Sequence, residues 1–248
     1  LSVAPYRNTA SWLLTAIPLF ILMAEILSAS RISSDMFRAA NRWVGHLPGG
    51  LAVATVFTSA GFGAVSGSST AATATMARTV APEAEKYGYD RGMIVGTVAA
   101  AGTLSIMIPP SVVLMVYGII TETSIGGLFI AGILPGLITA LSFAGITMAW
   151  ATINRDLAPP VQSHSWRARF ASLRELWPVV LLFVFIVSGI YSGAVTVTEA
   201  AAVGCFGAVM IAAVMLRRMG WRDFMGALER TTHPTAMIFS IIIGAHIF

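Results

Sequence analysis

The sequence predicts an all-α integral membrane protein, and two observations carry that prediction. Hydrophobic residues make up 56% of the 248-residue chain and charged residues only 10%, whereas a soluble domain typically carries about 25% charged residues. Two stretches rich in glycine, proline or hydroxyl side chains, residues 61–70 and 102–111, interrupt the apolar sequence. Because hydrocarbon does not tolerate unpaired peptide groups, we expect both stretches to be buried in protein or to line a wet cavity.

Charge and cysteine content exclude several classes of function. The net charge is +4, but the basic residues lie singly or in small clusters between apolar spans. A nucleic-acid partner would need a basic stripe on one folded face. Cys205 is the only cysteine, so neither an intrachain disulfide nor a cysteine-based zinc site is possible. The four histidines are scattered and lack the spacing of a metal site.

The polar connections set the predicted topology. Segments 31–46, 154–175 and 217–230 each carry a net positive charge, which predicts that they lie on the cytoplasmic side. Connections 121–124 and 188–199 carry no basic residue and are predicted to be external. The apolar stretches are 9–29, 47–77, 92–120, 125–153, 176–195, 200–216 and 234–248. The last is shorter than the about 20 residues of a span, and the first residue is Leu1, so we expect a piece of a longer protein.

The stretch 47–77 is predicted to be a re-entrant helical hairpin. Its 31 residues are too few for two crossings, which need about 40 residues and a turn. Divided at residues 61–69, it has two limbs of about a dozen residues, and each reaches about 18–20 Å, the middle of the bilayer. The alternative is one long tilted helix with residues 78–91 outside.

Segment 92–120 is predicted to be a membrane helix that is broken in its middle. It exceeds the about 20 residues of a straight span, and Pro109 and Pro110 each lack the amide hydrogen that a helix interior uses. Proline suits the start of a helix, so we expect a second half to begin near these residues. The alternative is an ordinary proline kink, but Gly102 and Thr103 before the proline pair favour a full break.

The polar linker over 154–175 leads to an out-and-back pair of membrane helices, 176–195 and 200–216. Thr196 and Glu199 have the spacing of a capping box, in which each side chain accepts a hydrogen bond from the other residue's amide. We therefore expect a helix to begin directly after Thr196.

Residues at the two interruptions have the chemistry of a joint cation and anion site. The hairpin tip collects Ser66, Ser68, Ser69 and Thr70 around Gly67, and Ser68 or Ser69 suits the N-cap of the returning limb. A helix N-terminus favours a carboxylate, whereas hydroxyls and freed carbonyls suit a hard cation such as sodium. Residues 102–111 offer a second set, so two facing tips form a site for an anion coupled to a cation.

Three other interpretations of these residues remain open. Small residues also let membrane helices pack closely, and residues 71–75 are assigned to that role. An intramembrane enzyme with Ser66 as nucleophile would need a base within hydrogen-bond reach, but no histidine falls inside a complete span. A non-transporting membrane scaffold would not need two unwound segments.

The order and spacing of these motifs resemble the large membrane subunit of tripartite ATP-independent periplasmic (TRAP) transporters, the DctM-like permease. The resemblance covers most of the chain except the linker 154–175. Its motifs are SGSSTA at 66–71, GYD at 88–90, AGTL at 101–104, IPPS at 108–111, YG at 117–118, SI at 124–125, LF at 128–129, AG at 131–132, PG at 135–136, YSG at 191–193 and TEAAAVG at 198–204.

The resemblance implies a secondary transporter of the bacterial inner membrane that imports an organic acid, such as a C4-dicarboxylate or sialic acid, on a sodium gradient. The implied partners are a small membrane subunit and a periplasmic substrate-binding protein, with no cofactor besides the coupling sodium ion. It also implies inverted repeats. Residues 1–153 form the first repeat, 154–175 the cytoplasmic linker, and 176–248 the start of a second repeat whose hairpin and broken helix are missing.

By similarity, the hairpin tip and the break form the first-half sodium site and one wall of the substrate site. The sodium site is assigned to Ser66, Gly67, Ser69, Gly102 and Thr103. The substrate site is assigned to Ser68, Ser69, Thr70, Pro110 and Ser111.

The sequence departs from the family pattern at two further positions. Ser105 stands where the family commonly has glycine, which adds a hydroxyl or alters the loop. Val197 stands where proline is usual, which weakens the expected helix start. The alternative family is the divalent-anion/sodium symporters, which share the hairpin-and-break architecture but need no binding protein.

Overall fold

The computed structural model describes residues 12–159 and 164–247, and every regular element in these ranges is a helix. This confirms the predicted all-α fold. Among the described residues, three continuous helical stretches are long and apolar enough to cross a membrane: Ile125–Ile153, Trp166–Tyr191 and Val197–Met215. The number rises to five if each of two bent helix pairs counts as one span. These pairs are Leu13–Ala29 with Ile32–Val44, and Arg91–Met107 with Val112–Ile120.

The first two helices are joined at a sharp bend. After a 3-10 turn at Trp12–Thr15, helix α1 covers Ala16–Ala29 and α2 covers Ile32–Val44, with a bend of 67° between them. Arg31 at the junction has φ of 61°, a left-handed conformation that is uncommon outside glycine. Helix α2 occupies most of the connection 31–46, because this segment is amphipathic and buries one face against the rest of the protein.

The stretch predicted as a hairpin consists of two helices that meet at Gly67 and Ser68. Helix α3 covers Gly50–Ser66 and α4 covers Ser69–Lys86, so the break lies inside the predicted interval. The two helices pack against each other, and α3 also packs against α2. The predicted hairpin ends at residue 77, whereas its second helix extends nine residues further, to Lys86. This helix continues with Pro82 inside it, and the alanine, glutamate and lysine residues around this proline are good helix formers.

The predicted broken helix is interrupted over residues 108–111. Helix α5 covers Arg91–Gly102, a single turn α6 covers Leu104–Met107, and α7 covers Val112–Ile120, with a bend of 43° across the interruption. The prediction that the chain unwinds from residue 102 was too broad. The two prolines remove amides only at positions 109 and 110, so the upstream amides continue to donate within the helix.

Five more helices complete the described part of the chain. They are α8 (Ile125–Ile153), α9 (Trp166–Leu173), α10 (Trp177–Tyr191), α11 (Val197–Val209) with a π-helical end at Met210–Met215, and α12 (Trp221–Ile247). Short 3-10 turns lie at Arg155–Leu157 and Arg174–Leu176. Two segments predicted as polar connections are therefore partly helical, since α9 lies within 154–175 and α12 begins within 217–230.

The start of α11 has the predicted capping box. The amide of Thr196 donates to Oε2 of Glu199 at 2.7 Å, and the amide of Glu199 donates to Oγ1 of Thr196 at 3.3 Å. The helix begins at Val197, so the valine that replaces the usual proline does not displace the helix start.

Ion pairs join the three net-positive connections. Asp35 in α2 binds both Arg38 and Arg218, and Arg42 in α2 binds Glu175 at 3.2 Å. Segments 31–46, 154–175 and 217–230 therefore lie at one end of the molecule, as expected if all three face the cytoplasm.

Helix α1 connects the parts of the chain that precede and follow the linker. It packs against α11 and α12, and its residues Phe20, Met23 and Leu27 are buried. Glu25 of α1 pairs with Arg230 of α12, with 2.7 Å between Oε2 and Nε. The helices after the linker are thus packed onto the core that supports the hairpin.

Candidate functional site

The hairpin tip is shaped by Gly67 and Ser68. Gly67 has φ of 60°, which glycine adopts without strain, and its amide donates to the Gly63 carbonyl at 2.9 Å, which closes α3. The Ser68 hydroxyl accepts a hydrogen bond from the amide of Ala71 at 3.3 Å. Ser68 is therefore the N-cap of α4, one of the two predicted candidates, and the first turn of α4 begins with free amides at the tip.

The break between α6 and α7 is held by Ser111. Its hydroxyl accepts from the amide of Leu114 at 3.3 Å and donates to the carbonyl of Ile106 at 2.6 Å. In a continuous helix that carbonyl would bond to the amide of residue 110, but Pro110 has no N–H. Ser111 therefore begins α7 and also satisfies a carbonyl that the proline frees.

The hairpin tip lies directly on this break. The Gly67 carbonyl accepts a hydrogen bond from the amide of Val112 at 3.1 Å, and this first-turn amide has no partner inside its own helix. A Cβ atom at Gly67 would lie 2.6 Å from the Pro110 carbonyl oxygen. Only glycine fits at that distance, so the tip and the break form one unit, which we call the joint.

Two further glycines bring the helices together around the joint. A Cβ atom at Gly63 would lie 2.6 Å from Oγ of Ser105, and one at Gly102 would lie 1.8 Å from Oγ1 of Thr73. Helix α3 thus packs on α6, and α4 packs on the end of α5, at separations that only small residues allow.

An open cleft of about 460 Å³ lies between α4 and the end of α5. Ser69 and Thr70 line it from α4, and Gly102 and Thr103 line it from the other side. The described residues around it carry hydroxyl groups and small apolar groups but no charged side chain. An anion in this cleft would therefore be held by hydroxyls and by the positive end of α4.

Buried serine hydroxyls beside the joint make no hydrogen bond to any part of the chain that the structure describes. Ser66, the last residue of α3, and Ser105 in α6 are both 0% exposed, and each Oγ atom lacks a partner. Leaving a buried hydroxyl unsatisfied costs about 1–3 kcal/mol. At the joint, where carbonyl oxygens and other hydroxyls are close by, such a hydroxyl is a candidate ligand for an ion or a polar group. Ser59, two turns earlier in α3, has the same properties.

The residues assigned to sodium are divided between the joint and the cleft. Ser66 and Gly67 are at the joint itself, whereas Ser69, Gly102 and Thr103 line the cleft. The Thr103 hydroxyl donates its proton to the Ala100 carbonyl at 2.6 Å, which leaves its oxygen lone pairs available to a cation.

The residues assigned to the substrate divide into two groups. Ser69 and Thr70 line the cleft, whereas Ser68, Pro110 and Ser111 do not. The Ser68 hydroxyl lies 3.1 Å from that of Thr70, and the Ser111 hydroxyl is engaged at the break. A role of any of these five residues in substrate binding stays a prediction.

The sequence interpretation assigned Thr73 only to packing, and it gave Ser105 no place in the site. Thr73 contacts Gly102 and also lines the cleft. It lies one helical turn beyond Ser69 and Thr70, so helical spacing could have identified it. The position of Ser105 against Gly63 depends on how two distant segments pack, and no local pattern signals it.

The donor set at the joint suits a hard cation. Among the described residues, no group of three histidine, cysteine, aspartate or glutamate side chains is placed to hold a metal ion. The available ligands are hydroxyl and carbonyl oxygens, which hard cations prefer. The arrangement can therefore hold such a cation next to the free amides of α4, which favour an anion.

The chain is similar to proteins of one transporter family over nearly its whole length. Residues 3–248 match the family described as the DctM component of tripartite ATP-independent periplasmic transporters. The chain is 36% identical, over all of its length, to the C4-dicarboxylate TRAP transporter large permease protein DctM of Pseudomonas aeruginosa. It is 35% identical over 95% of its length to the ectoine TRAP transporter large permease protein TeaC of Halomonas elongata. Identity to the sialic acid TRAP transporter large permease protein SiaM of Vibrio cholerae is 30%, again over 95% of the chain.

The chain spans little more than half the length of these relatives, namely 58%, 55% and 55% of them in the same order. All three are named as transporter permease subunits and not as enzymes, which argues against the intramembrane serine enzyme. The chain therefore belongs to the DctM family, the large permease components of tripartite ATP-independent periplasmic transporters.

Proposed function

We propose that the full-length protein is the large permease subunit of a sodium-coupled transporter that imports an organic acid. The observation that carries this proposal is the joint, where the Gly67 carbonyl meets the Val112 amide beside the buried, unpartnered hydroxyl of Ser66. Secondary transporters commonly build ion and substrate sites from interrupted helices near the bilayer midplane.

The cation site of the proposal is formed by oxygen atoms on both sides of the joint. Ser66 supplies a buried hydroxyl that lacks a hydrogen-bond partner among the described residues. The remaining ligands are the predicted ones at Gly67, Ser69, Gly102 and Thr103. Sodium bound there bridges the hairpin to the broken helix and stabilises their contact.

The substrate site of the proposal is the cleft between α4 and the end of α5. Ser69 and Thr70 offer hydroxyls there, and the first turn of α4 offers free amides for a carboxylate. The absence of a basic side chain from the described lining makes a neighbouring sodium ion the main source of positive charge. Cation binding and acid binding are thereby coupled. Relatives named for C4-dicarboxylates and sialic acid support an organic acid as the substrate class.

The proposal includes two protein partners, a small membrane subunit and a periplasmic substrate-binding protein. It places the permease itself in the bacterial inner membrane. The support for them is the family to which the chain belongs. In the proposed cycle, sodium orders the joint, the joint binds the acid, and the hairpin unit then moves against the surrounding helices to expose the site on the other side.

The test is sodium-dependent uptake by the full-length protein with its partner subunits in liposomes. Ser66→Ala removes one buried oxygen and breaks no hydrogen bond, so we expect the half-saturating sodium concentration to rise roughly tenfold, or about 1.4 kcal/mol. Ser59→Ala is the matched control, because Ser59 is equally buried and unpartnered in the same helix but lies two turns from the joint. Equal sodium dependence in both variants would argue against a cation at Ser66.

The same assay separates the proposal from a divalent-anion/sodium symporter. A TRAP transporter requires its periplasmic substrate-binding protein, so omission of this protein from the assay is expected to abolish uptake. Uptake that persists without a binding protein would favour the symporter alternative.

A further inference from the structure

A second cavity, of about 740 Å³, lies at the end of the molecule where the charged connections meet. It is formed by the junction of α1 and α2 and by the segment between α11 and α12, and shares no residue with the cleft. Its charged and polar lining residues are Arg31, Ser34, Asp35, Arg38, Arg218 and Asp223.

Asp35 orients two of the three arginines. Its side chain is only 9% exposed and binds both Arg38 and Arg218. A guanidinium group has five N–H donors, and each arginine directs one terminal nitrogen at Asp35. Arg38 also lies 4.0 Å from Oε2 of Glu175 through the same terminal nitrogen, and the remaining donors of both half-exposed guanidinium groups stay available at the cavity wall.

The third arginine, Arg31, has no carboxylate partner among the described residues. The Arg31 guanidinium forms no ion pair with any described residue, and its backbone holds the left-handed φ of 61°. The second aspartate in the wall, Asp223, accepts a hydrogen bond from the amide of Gly220 at 2.9 Å. Three arginines and two aspartates give the wall a net charge of +1, and both carboxylates are already engaged.

We propose that this cavity binds a phosphate group, supplied either by the headgroup of an anionic phospholipid or by a free phosphate. Guanidinium groups held in a fixed orientation match the geometry of phosphate oxygens, and Ser34 adds a hydroxyl donor. The cavity lies among the segments that the charge pattern assigns to the cytoplasmic side, where basic pockets meet anionic headgroups. A phosphate there links the start of α2 to the α11–α12 segment and steadies the helix that leads into the hairpin.

The experiment measures binding to the purified full-length protein in detergent by calorimetry. The probes are dioctanoyl phosphatidylglycerol, dioctanoyl phosphatidylcholine and inorganic phosphate. Arg31→Gln is expected to weaken the binding of the anionic probe about tenfold, and Arg31→Lys, which keeps the charge but loses the planar guanidinium group, is expected to weaken it less. Arg167→Gln removes the same charge from an exposed position outside the cavity and is expected to leave the affinity unchanged. The elution volume and melting temperature of each variant report its folding.

The outcomes are distinct. Binding of phosphatidylglycerol alone supports the site and identifies a lipid headgroup as the source of the phosphate. Binding of inorganic phosphate alone supports the site and identifies free phosphate. Binding of both shows that the site accepts a phosphate from either source. The proposal is overturned if the wild type binds no anionic probe saturably, or if phosphatidylcholine binds as well as phosphatidylglycerol. It is equally overturned if Arg31→Gln has no effect or Arg167→Gln weakens binding as much.

Discussion

Replacement of Gly67 by alanine tests the joint between the hairpin and the broken helix. Gly67 has φ of 60°, and a residue with a side chain costs about 1–2 kcal/mol in that conformation. The new Cβ atom would also lie 2.6 Å from the Pro110 carbonyl oxygen, a backbone atom that cannot rotate away. Relief of this clash moves the tip off the break.

The magnitude follows from the bonds that are lost. When the tip moves, the hydrogen bond of 3.1 Å between the Val112 amide and the Gly67 carbonyl breaks, which costs about 1 kcal/mol more. We therefore expect a total loss of about 2–3 kcal/mol, equivalent to a fall in melting temperature of roughly 4–12 °C for an unfolding unit of this chain's size and less for a larger one. Since two of the proposed sodium ligands, Ser66 and Gly67, lie at the joint, any stabilisation by sodium should also disappear.

The assay is thermal unfolding of the full-length protein in detergent, with and without sodium chloride at constant ionic strength. Gly96→Ala is the matched control, because a Cβ atom at Gly96 in α5 meets no atom within 4 Å. Alanine is the better helix former there by about 1 kcal/mol, so this variant should be unchanged or slightly more stable. The reasoning is refuted if Gly67→Ala melts like the wild type and keeps its sodium response, or if Gly96→Ala loses as much.

Two further substitutions test the contacts around the joint. Gly63→Ala should lower the free energy of unfolding by about 1–3 kcal/mol through overpacking, because its Cβ atom would lie 2.6 Å from Oγ of Ser105. The double variant with Ser105→Gly should recover part of that loss in a double-mutant cycle. No recovery would show that the clash is elsewhere. Ser111→Ala should cost about 2–3 kcal/mol, since it removes a helix cap and leaves the Ile106 carbonyl unpaired. Ser124→Ala, which removes only the cap of α8, should cost about 1 kcal/mol, and equal melting temperatures for these two cap variants would contradict the role of Ser111 at the break.

Several features of the fold could be predicted from local sequence. Composition predicted an integral membrane protein, and apolar stretches of about 20 residues or more predicted that it is helical. The positions of both interruptions followed from residues that cannot continue a helix cheaply, namely the glycines around position 67 and the prolines at 109 and 110. The capping box of Thr196 and Glu199 was predictable for the same reason, since it involves residues three apart.

Helix lengths were less predictable from the same signal. Hydropathy ended the hairpin at residue 77, but α4 continues to Lys86. It likewise placed polar connections where α2, α9 and the start of α12 form helices. Hydropathy reports where the chain becomes polar, whereas the length of a helix depends on its backbone hydrogen bonds and on the face it buries.

By itself, the sequence determined the helical class, the two break points and the hydroxyl-rich character of each break, because these depend on single residues and near neighbours. Only the tertiary structure decided that the Gly67 carbonyl pairs with Val112, that Thr73 covers Gly102, and that Ser66 is buried with no hydrogen-bond partner among the described residues. The two contacts join segments about 30–45 residues apart, and their geometry is set by the packing of α3 and α4 against α5 and α6. A local pattern carries no information about such distances, so it can nominate the residues of a site but not determine which of them meet.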